Sequence, residues 1–179
     1  MKSILLSIKP KYVELIARGE KTIEVRKTAP QEVPFKCYIY ETKGQYVKFT
    51  HGAHTKYGYG RGKVIGEFIC DRIICSQAYF DSQGKNHLTN VFPDDIKKTC
   101  LDEYDLWDYI AGKAVKANQM YDGYLWHISD LKIYDKPREL SEFRKPCDRF
   151  LDCCTCRRLV HNEYMSCDNK ITRPPLSWC

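Results

Sequence analysis

Short connections between successive strand-like segments most constrain the fold of this 179-residue chain. Apolar or alternating segments such as "KSILLSIK", "KTIEVRK", "FKCYIYET" and "KVIGEFICDRIIC" follow one another closely, and "GYLWHIS" and "DLKIYD" come later. Neighbouring parallel strands need a crossover of a dozen residues or more, and several of these connections are shorter. Two short helices are predicted, at residues 10–18 and 101–111. The pattern therefore predicts an α+β fold in which five or six strands form a curved or closed sheet.

The first 26 residues form a strand, a short helix, a glycine turn and a second strand. Pro10 suits the first turn of a helix, where its missing N–H is not needed. Apolar residues recur at helical spacing as far as Ala17, and Glu14 and Arg18 are placed to pair across one turn. Gly19 suits the left-handed conformation that ends many helices. This unit places the charged segment "GEKTIEVR" directly after the helix.

Lys21, Glu24 and Arg26 are the first candidate site residues. Strand alternation puts Glu24 and Arg26 on one face and Lys21 on the other. Lys21 can still approach Glu24 if the strand is bulged or if Lys21 belongs to the glycine turn. The spacing is compatible with an exposed, solvated strand and equally with a cleft that holds a ligand.

Glu67 is the second candidate, in the predicted strand "KVIGEFICDRI". It shares a strand face with Ile65 and Ile69, and burying a carboxylate among aliphatic side chains is costly unless a cation meets it. Lys21 or Arg26 on a neighbouring strand is the predicted partner. The alternative is that this face of the strand is exposed to solvent.

Together, "PKYVELIARGEKTIEVRK", "KVIGEFICDRI" and "GYLWHISDLKIYDKPRELSEF" resemble the ASCH domain of the PUA-like superfamily, over roughly residues 3–145. The G-x-K-T-I-E-x-R core after a short helix is the most distinctive part. The resemblance implies a small β-barrel with flanking short helices and a cleft lined by the first helix and the second strand. Related domains bind RNA or modified bases, some small members are amidohydrolases of N4-acetylcytidine, and ribonuclease activity is also attributed to the family.

The resemblance also implies a catalytic set of lysine, threonine and glutamate in the amidohydrolase members. Lys21 matches the lysine and Glu67 the glutamate, whereas Glu24 stands where the threonine nucleophile would be. A carboxylate cannot replace a hydroxyl nucleophile in the same acyl transfer. We therefore expect the chain to bind RNA or a modified nucleoside through five residues: Lys21, Glu24, Arg26, Glu67 and Trp126.

Two alternatives stay open. In the first, the chain is a hydrolase of an N-acylated base or of an RNA phosphodiester, with Lys21, Glu24 and Glu67 in catalytic roles. Glu24 would then act as a general base toward water. In the second, the chain is an adaptor that binds a protein partner through its tail. Trp126 carries its own alternative, because it alternates with apolar neighbours and could be a core residue.

Charge and hydropathy set broad limits. The formal charge of +6 is compatible with a polyanionic partner, but Lys and Arg are spread along the chain and serve solubility equally well. No segment approaches the roughly 20 consecutive apolar residues that span a bilayer, and the N-terminal segment lacks a signal-peptide cleavage pattern. We expect a cytoplasmic protein with no membrane association.

Cysteines divide the chain into an ASCH-like domain at residues 1–145 and a cysteine-rich extension at residues 146–179. The extension holds six of the ten cysteines. Cytosolic thiols stay reduced, so this cluster favours a metal site over disulfides. A C-x2-C pair with two flanking cysteines predicts a structural zinc ion held by Cys147, Cys153, Cys156 and Cys167. Three further residues could replace a ligand: Cys154, His161 and Cys179.

Overall fold

The computed structural model describes residues 1–51, 54–112, 116, 119–144, 159–160, 163–164 and 170–175. Strands are numbered in chain order: β1 Ser3–Ile8, β2 Ile23–Arg26, β3 Phe35–Glu41, β4 Gly44–His51, β5 His54–Gly60, β6 Lys63–Cys70, β7 Ile73–Phe80, β8 Asn86–Leu88, β9 Tyr121–His127, β10 Ser129–Arg138, β11 Leu159–Val160 and β12 Glu163–Tyr164. The helices are α1 Pro10–Ala17, α2 Pro93–Thr99 and α3 Glu103–Ala111, with a 3-10 turn at Leu140–Glu142.

Two four-stranded sheets form the body of the domain. The first has the order β1-β3-β6-β10, in which β1 and β3 are parallel and the other pairs are antiparallel. The second has the order β2-β9-β7-β8 and is antiparallel throughout. Strands β4 and β5 form a separate hairpin. The predicted α+β class is confirmed.

The predicted β-barrel is not closed, since hydrogen bonds among the described residues leave two open sheets. The prediction of one continuous strand over "KVIGEFICDRIIC" is also wrong, because the strand is interrupted at Asp71 and Arg72, between β6 and β7. Strand β6 belongs to the first sheet and β7 to the second, so the chain crosses from one sheet to the other at this point.

Three clusters of buried apolar residues are present among the described residues, and two of them pack a helix against a sheet. The first contains residues of the first sheet and of α1, among them Leu6, Ile16 and Phe35. Trp126 belongs to this cluster, fully buried, with its ring 5.2 Å from that of Phe35 in an edge-to-face arrangement. The second cluster places α3 against the second sheet. The core alternative for Trp126 is therefore confirmed.

Helix α1 forms as the sequence predicts. Pro10 occupies its first turn, Val13 and Ile16 are buried, and Glu14 forms an ion pair with Arg18. The backbone of Gly19 has a φ of 74°, which a residue with a side chain rarely adopts. The turn returns the chain toward the helix, where the Lys21 amide donates to the Leu15 carbonyl.

Part of the C-terminal extension packs on the first sheet. Ile171 is buried against Leu5, Tyr40 and Val64. Near the end of this segment, the Ser7 hydroxyl donates to the Pro175 carbonyl at 2.7 Å. All seven candidate metal ligands lie outside the described residues, so the zinc site and the boundary at residue 145 stay predictions. Among the described helices, none has the length and apolarity needed to cross a membrane.

Candidate ligand-binding cavity

A cavity of about 510 Å³ opens between α1, β2 and α3. Its walls come from separate parts of the sequence. The end of β1, helix α1 and β2 line one side, and α3 lines the other. The lining residues are Ser7, Ile8, Lys9, Tyr12, Lys21, Glu24, Val25, Arg26, Thr42, Leu101, Asp105, Asp108 and Tyr109. Three of the predicted site residues, Lys21, Glu24 and Arg26, are therefore together here.

Lys21 lies just before β2, in the glycine turn, and its side chain turns toward Glu24. The ammonium group donates to the carbonyls of Ile23 at 2.7 Å and Thr99 at 2.8 Å, and lies 3.3 Å from the Glu24 carboxylate. Two of the three ammonium donors are therefore used by backbone carbonyls, and the ion pair with Glu24 compensates the buried charge. The charge also lies 5.3 Å from the centroid of the Tyr12 ring, in cation–π range. Lys21 therefore fixes Glu24 in position.

Glu24 is held between two cations. One carboxylate oxygen faces Lys21, and the other lies 2.8 Å from a guanidinium nitrogen of Arg26, so Glu24 forms an ion pair with each. The same Arg26 nitrogen donates to the Ser7 carbonyl at 2.7 Å. All three charged residues are at least nine-tenths buried. A buried carboxylate with two charge-assisted partners is tightly oriented, and each oxygen keeps a second lone pair for a further donor.

Two tyrosines form aromatic walls of the cavity. Burial raises the pKa of Tyr12, and the carboxylates of Asp105 and Glu24 raise it further. Burial likewise raises the pKa of Tyr109, whose hydroxyl interacts with Arg26. Both phenols therefore stay protonated at neutral pH and can donate hydrogen bonds. A flat ligand between these walls would find aromatic surfaces on which to stack.

Helix α3 adds carboxylates to the cavity. Asp102 caps the helix by accepting from the Asp105 amide at 2.7 Å. Asp105, Asp108 and Tyr109 are spaced three and four residues apart, so they share one face of the helix. An adjoining face carries Leu106 and is buried in the core. The sequence predicted this helix, but nothing in it indicated that its acidic face would line a cavity together with residues of β2.

Two predicted site residues need correction: Glu67 lies on a different sheet, and Trp126, although it is the cross-strand partner of Glu24, is buried in the core. The Glu67 carboxylate binds Lys36 at 3.0 Å and the Tyr134 hydroxyl at 2.6 Å, not Lys21 or Arg26. The Tyr134 hydrogen bond lowers the pKa of Glu67 below its usual value. Neither Glu67 nor Trp126 lines the cavity. The predicted pairing failed because Glu67 lies on β6, between β3 and β10 in the first sheet, whereas β2 belongs to the second sheet.

The fold and the cavity define a small mixed α+β domain of two open sheets, with a cleft formed by its first helix and second strand. Residues 6–121 match the ASCH domain family, and this match spans more than half of the chain. The chain therefore belongs to the ASCH domain family.

Solved structures with a similar fold include the crystal structure of ASCH from Zymomonas mobilis. The two are 17% identical in sequence, with a TM-score of 0.52, and the alignment covers 99% of this chain and 86% of that one. A serine-to-alanine mutant of the Zymomonas protein is 16% identical, with a TM-score of 0.51 and coverage of 99% and 87%. At this level of identity the similarity concerns the fold alone. Comparison with curated proteins yields no match.

Proposed function

We propose that this protein binds RNA or a modified nucleoside, with one base held in the cavity. The observation that carries the proposal is the buried cluster of Lys21, Glu24 and Arg26 between two tyrosines. The Glu24 carboxylate can accept hydrogen bonds from the exocyclic amine of a base. The planar guanidinium of Arg26 can donate to acceptor atoms on the edge of a base. Stacking on a tyrosine contributes about 1–3 kcal/mol per base.

The charge balance of the cavity favours a base over a phosphate. Lys9, Lys21 and Arg26 are offset by Glu24 and the two aspartates of α3, so the charged lining residues are equal in number. A phosphate would gain no net attraction and would lie near three carboxylates. A nucleobase is neutral and presents donors and acceptors on one edge, which matches this lining. The PUA-like ASCH family is RNA-binding in general, which agrees with the proposal.

The hydrolase alternative has less support. The proposed activator Lys21 already donates to two backbone carbonyls and is paired with Glu24. Glu67 lies outside the cavity, and Glu24 replaces the threonine nucleophile. A hydrolytic role would therefore depend on Glu24 as a base, with no second predicted catalytic residue beside it except Lys21. Binding without turnover is the function that this arrangement supports best.

The experiment combines binding and turnover. Pure protein is titrated by calorimetry with a nucleoside panel that includes N4-acetylcytidine, and by fluorescence anisotropy with labelled single-stranded RNA. The same mixtures are then separated by chromatography. We expect saturable binding that Arg26→Lys weakens, because lysine keeps the charge and loses the planar fork. Glu142→Gln, which alters an exposed ion pair with Arg138, serves as the control.

Two results would change the conclusion. If neither a nucleoside nor RNA binds, the proposal is wrong. If cytidine is released from N4-acetylcytidine, and the release is lost in Lys21→Ala, the protein is a hydrolase and the binding-only interpretation is wrong.

A further inference from the structure

We infer that the β4–β5 hairpin is a second RNA-binding surface, a stacking platform for the single strand that leaves the cavity. This inference rests on the proposed RNA-binding function and extends it to a different part of the molecule. We call the surface the tyrosine face and define it by four residues: Gln45, Val47, Tyr57 and Tyr59.

Strand register puts these four side chains on one face of the hairpin. Gln45 is the partner of Tyr59, and Val47 is the partner of Tyr57. Tyr57 and Tyr59 are two residues apart on β5, so their side chains project from the same face about 7 Å apart. The face is open to solvent, with Tyr57 49% exposed and Tyr59 70% exposed. Adjacent exposed aromatic rings are unfavourable in water and are suited to stacking with bases.

The opposite face of the hairpin is fixed to the domain. The Tyr46 hydroxyl donates to Glu14 of α1, and Lys48 lies 3.7 Å from the same carboxylate. Gly58 sits beneath Tyr46, where an added Cβ would lie 2.5 Å from the ring. The tyrosine face is therefore held outward by packing on α1. A ligand that stacks there meets an ordered surface and pays little further ordering entropy.

The charge of the hairpin favours RNA over a protein partner. Residues 43–61, the hairpin and its flanking residues, contain four Lys or Arg residues and neither Asp nor Glu. Lys48 and Arg61 pair with the domain carboxylates Glu14 and Glu41, and Lys43 and Lys56 are exposed. A segment that combines cations with exposed aromatic rings matches single-stranded nucleic acid, because the cations bind the phosphates while the rings stack with the bases.

The hairpin is continuous with the cavity. Thr42 lines the cavity and directly precedes the hairpin. Gly60, at the other end, packs so closely on the Thr42 carbonyl and on Pro10 that a Cβ there would clash with both. Pro10 begins the helix that carries Tyr12 into the cavity. The base of the hairpin therefore lies beside the cavity, and we expect an RNA strand with one base in the cavity to extend from there toward the tyrosine face.

The test compares two ligands on one set of variants. Binding of labelled single-stranded RNA is measured by fluorescence anisotropy. Binding of the nucleoside with the highest affinity in the panel is measured by calorimetry. We expect Tyr57→Ala and Tyr59→Ala each to weaken RNA binding about tenfold, because each removes a stacking surface, and to leave nucleoside binding unchanged. Tyr57→Phe and Tyr59→Phe keep the ring and should bind as wild type. Tyr104→Ala, which removes another exposed tyrosine, is the matched control.

The outcomes separate this inference from the proposed function. Wild-type RNA binding that both alanine variants retain would overturn the platform and leave the cavity proposal intact. Nucleoside binding without any RNA binding would do the same. Failure of the wild type to bind either ligand would overturn the proposed function and, with it, the platform.

Discussion

Replacing Glu24 with glutamine should destabilise the domain severely, because Glu24 is the counter-ion of two buried cations. Lys21, Glu24 and Arg26 are 3%, 6% and 8% exposed. An amide oxygen can still occupy the present position 2.8 Å from Arg26, but without the negative charge. The amide nitrogen would then face the Lys21 ammonium, donor against donor. The variant thus leaves at least one buried charge without its partner.

The magnitude follows from the burial. Removing one member of a buried ion pair costs about 3–5 kcal/mol, since the remaining charge stays desolvated. Domains of this kind are stable by about 5–15 kcal/mol, so the loss is a large fraction of the total. With a urea m-value of about 2 kcal/mol/M, the unfolding midpoint should fall by about 2 M.

Urea unfolding followed by circular dichroism measures this midpoint for wild type, Glu24→Gln, Glu24→Asp and Glu142→Gln. Glu24→Asp keeps the charge on a shorter side chain and provides a folded variant if Glu24→Gln does not fold. Glu142→Gln changes a carboxylate in an exposed pair and should leave the midpoint close to wild type. A loss below about 1 kcal/mol for Glu24→Gln, the range of an exposed pair, would refute the argument that these charges are desolvated.

Three further predictions concern other parts of the chain. The hydrogen bond from Tyr134 lowers the pKa of Glu67 in the folded protein. The Glu67 carboxylate therefore contributes to stability above its pKa in the unfolded chain, and this contribution disappears as the pH falls through its pKa in the folded protein. Glu67→Gln should be less stable than wild type at pH 7, and the difference should vanish in strong acid. Burial raises the pKa of Cys70 to about 12, whereas Cys75 is exposed; alkylation at pH 8 mapped by mass spectrometry should modify Cys75 in the native protein and Cys70 after unfolding. We propose that the extension holds one structural zinc ion, and elemental analysis should find about one zinc per chain, lost in Cys153→Ser and Cys156→Ser.

Local order was the part of the fold that the sequence predicted well. Helix α1, the turn at Gly19 and the strand after it follow from short-range signals, namely Pro10, an apolar stripe and a glycine. The break at Asp71 and Arg72 was missed because both flanking segments are apolar and favour strands. The change of sheet there is decided by which strands pair, and pairing is not encoded in a short window.

The same difference between local and long-range information applies to the candidate site. Lys21, Glu24 and Arg26 lie within six positions, so the sequence alone could predict that they lie close together. Tyr109, Asp105 and Asp108 line the cavity only because α3, about 80 residues further along the chain, packs beside it. Such tertiary packing cannot be recognised from a short stretch of sequence. Glu67 was matched to the wrong cation because its partner Lys36 is set by the register between β3 and β6.

In these proposals the cavity recognises a base, and the hairpin attracts the phosphates of the strand. Opposite charges are equal in number along the cavity wall, so base binding there should depend little on salt. The hairpin segment, residues 43–61, carries four cations and no acidic residue. Each phosphate contact on a single strand contributes about 0.7 to the slope of log affinity against log salt concentration. If the hairpin holds the strand, Lys43→Gln should reduce that slope for RNA by about 0.7 and leave nucleoside affinity unchanged. A slope that stays at the wild-type value would mean that the phosphates are bound elsewhere on the domain.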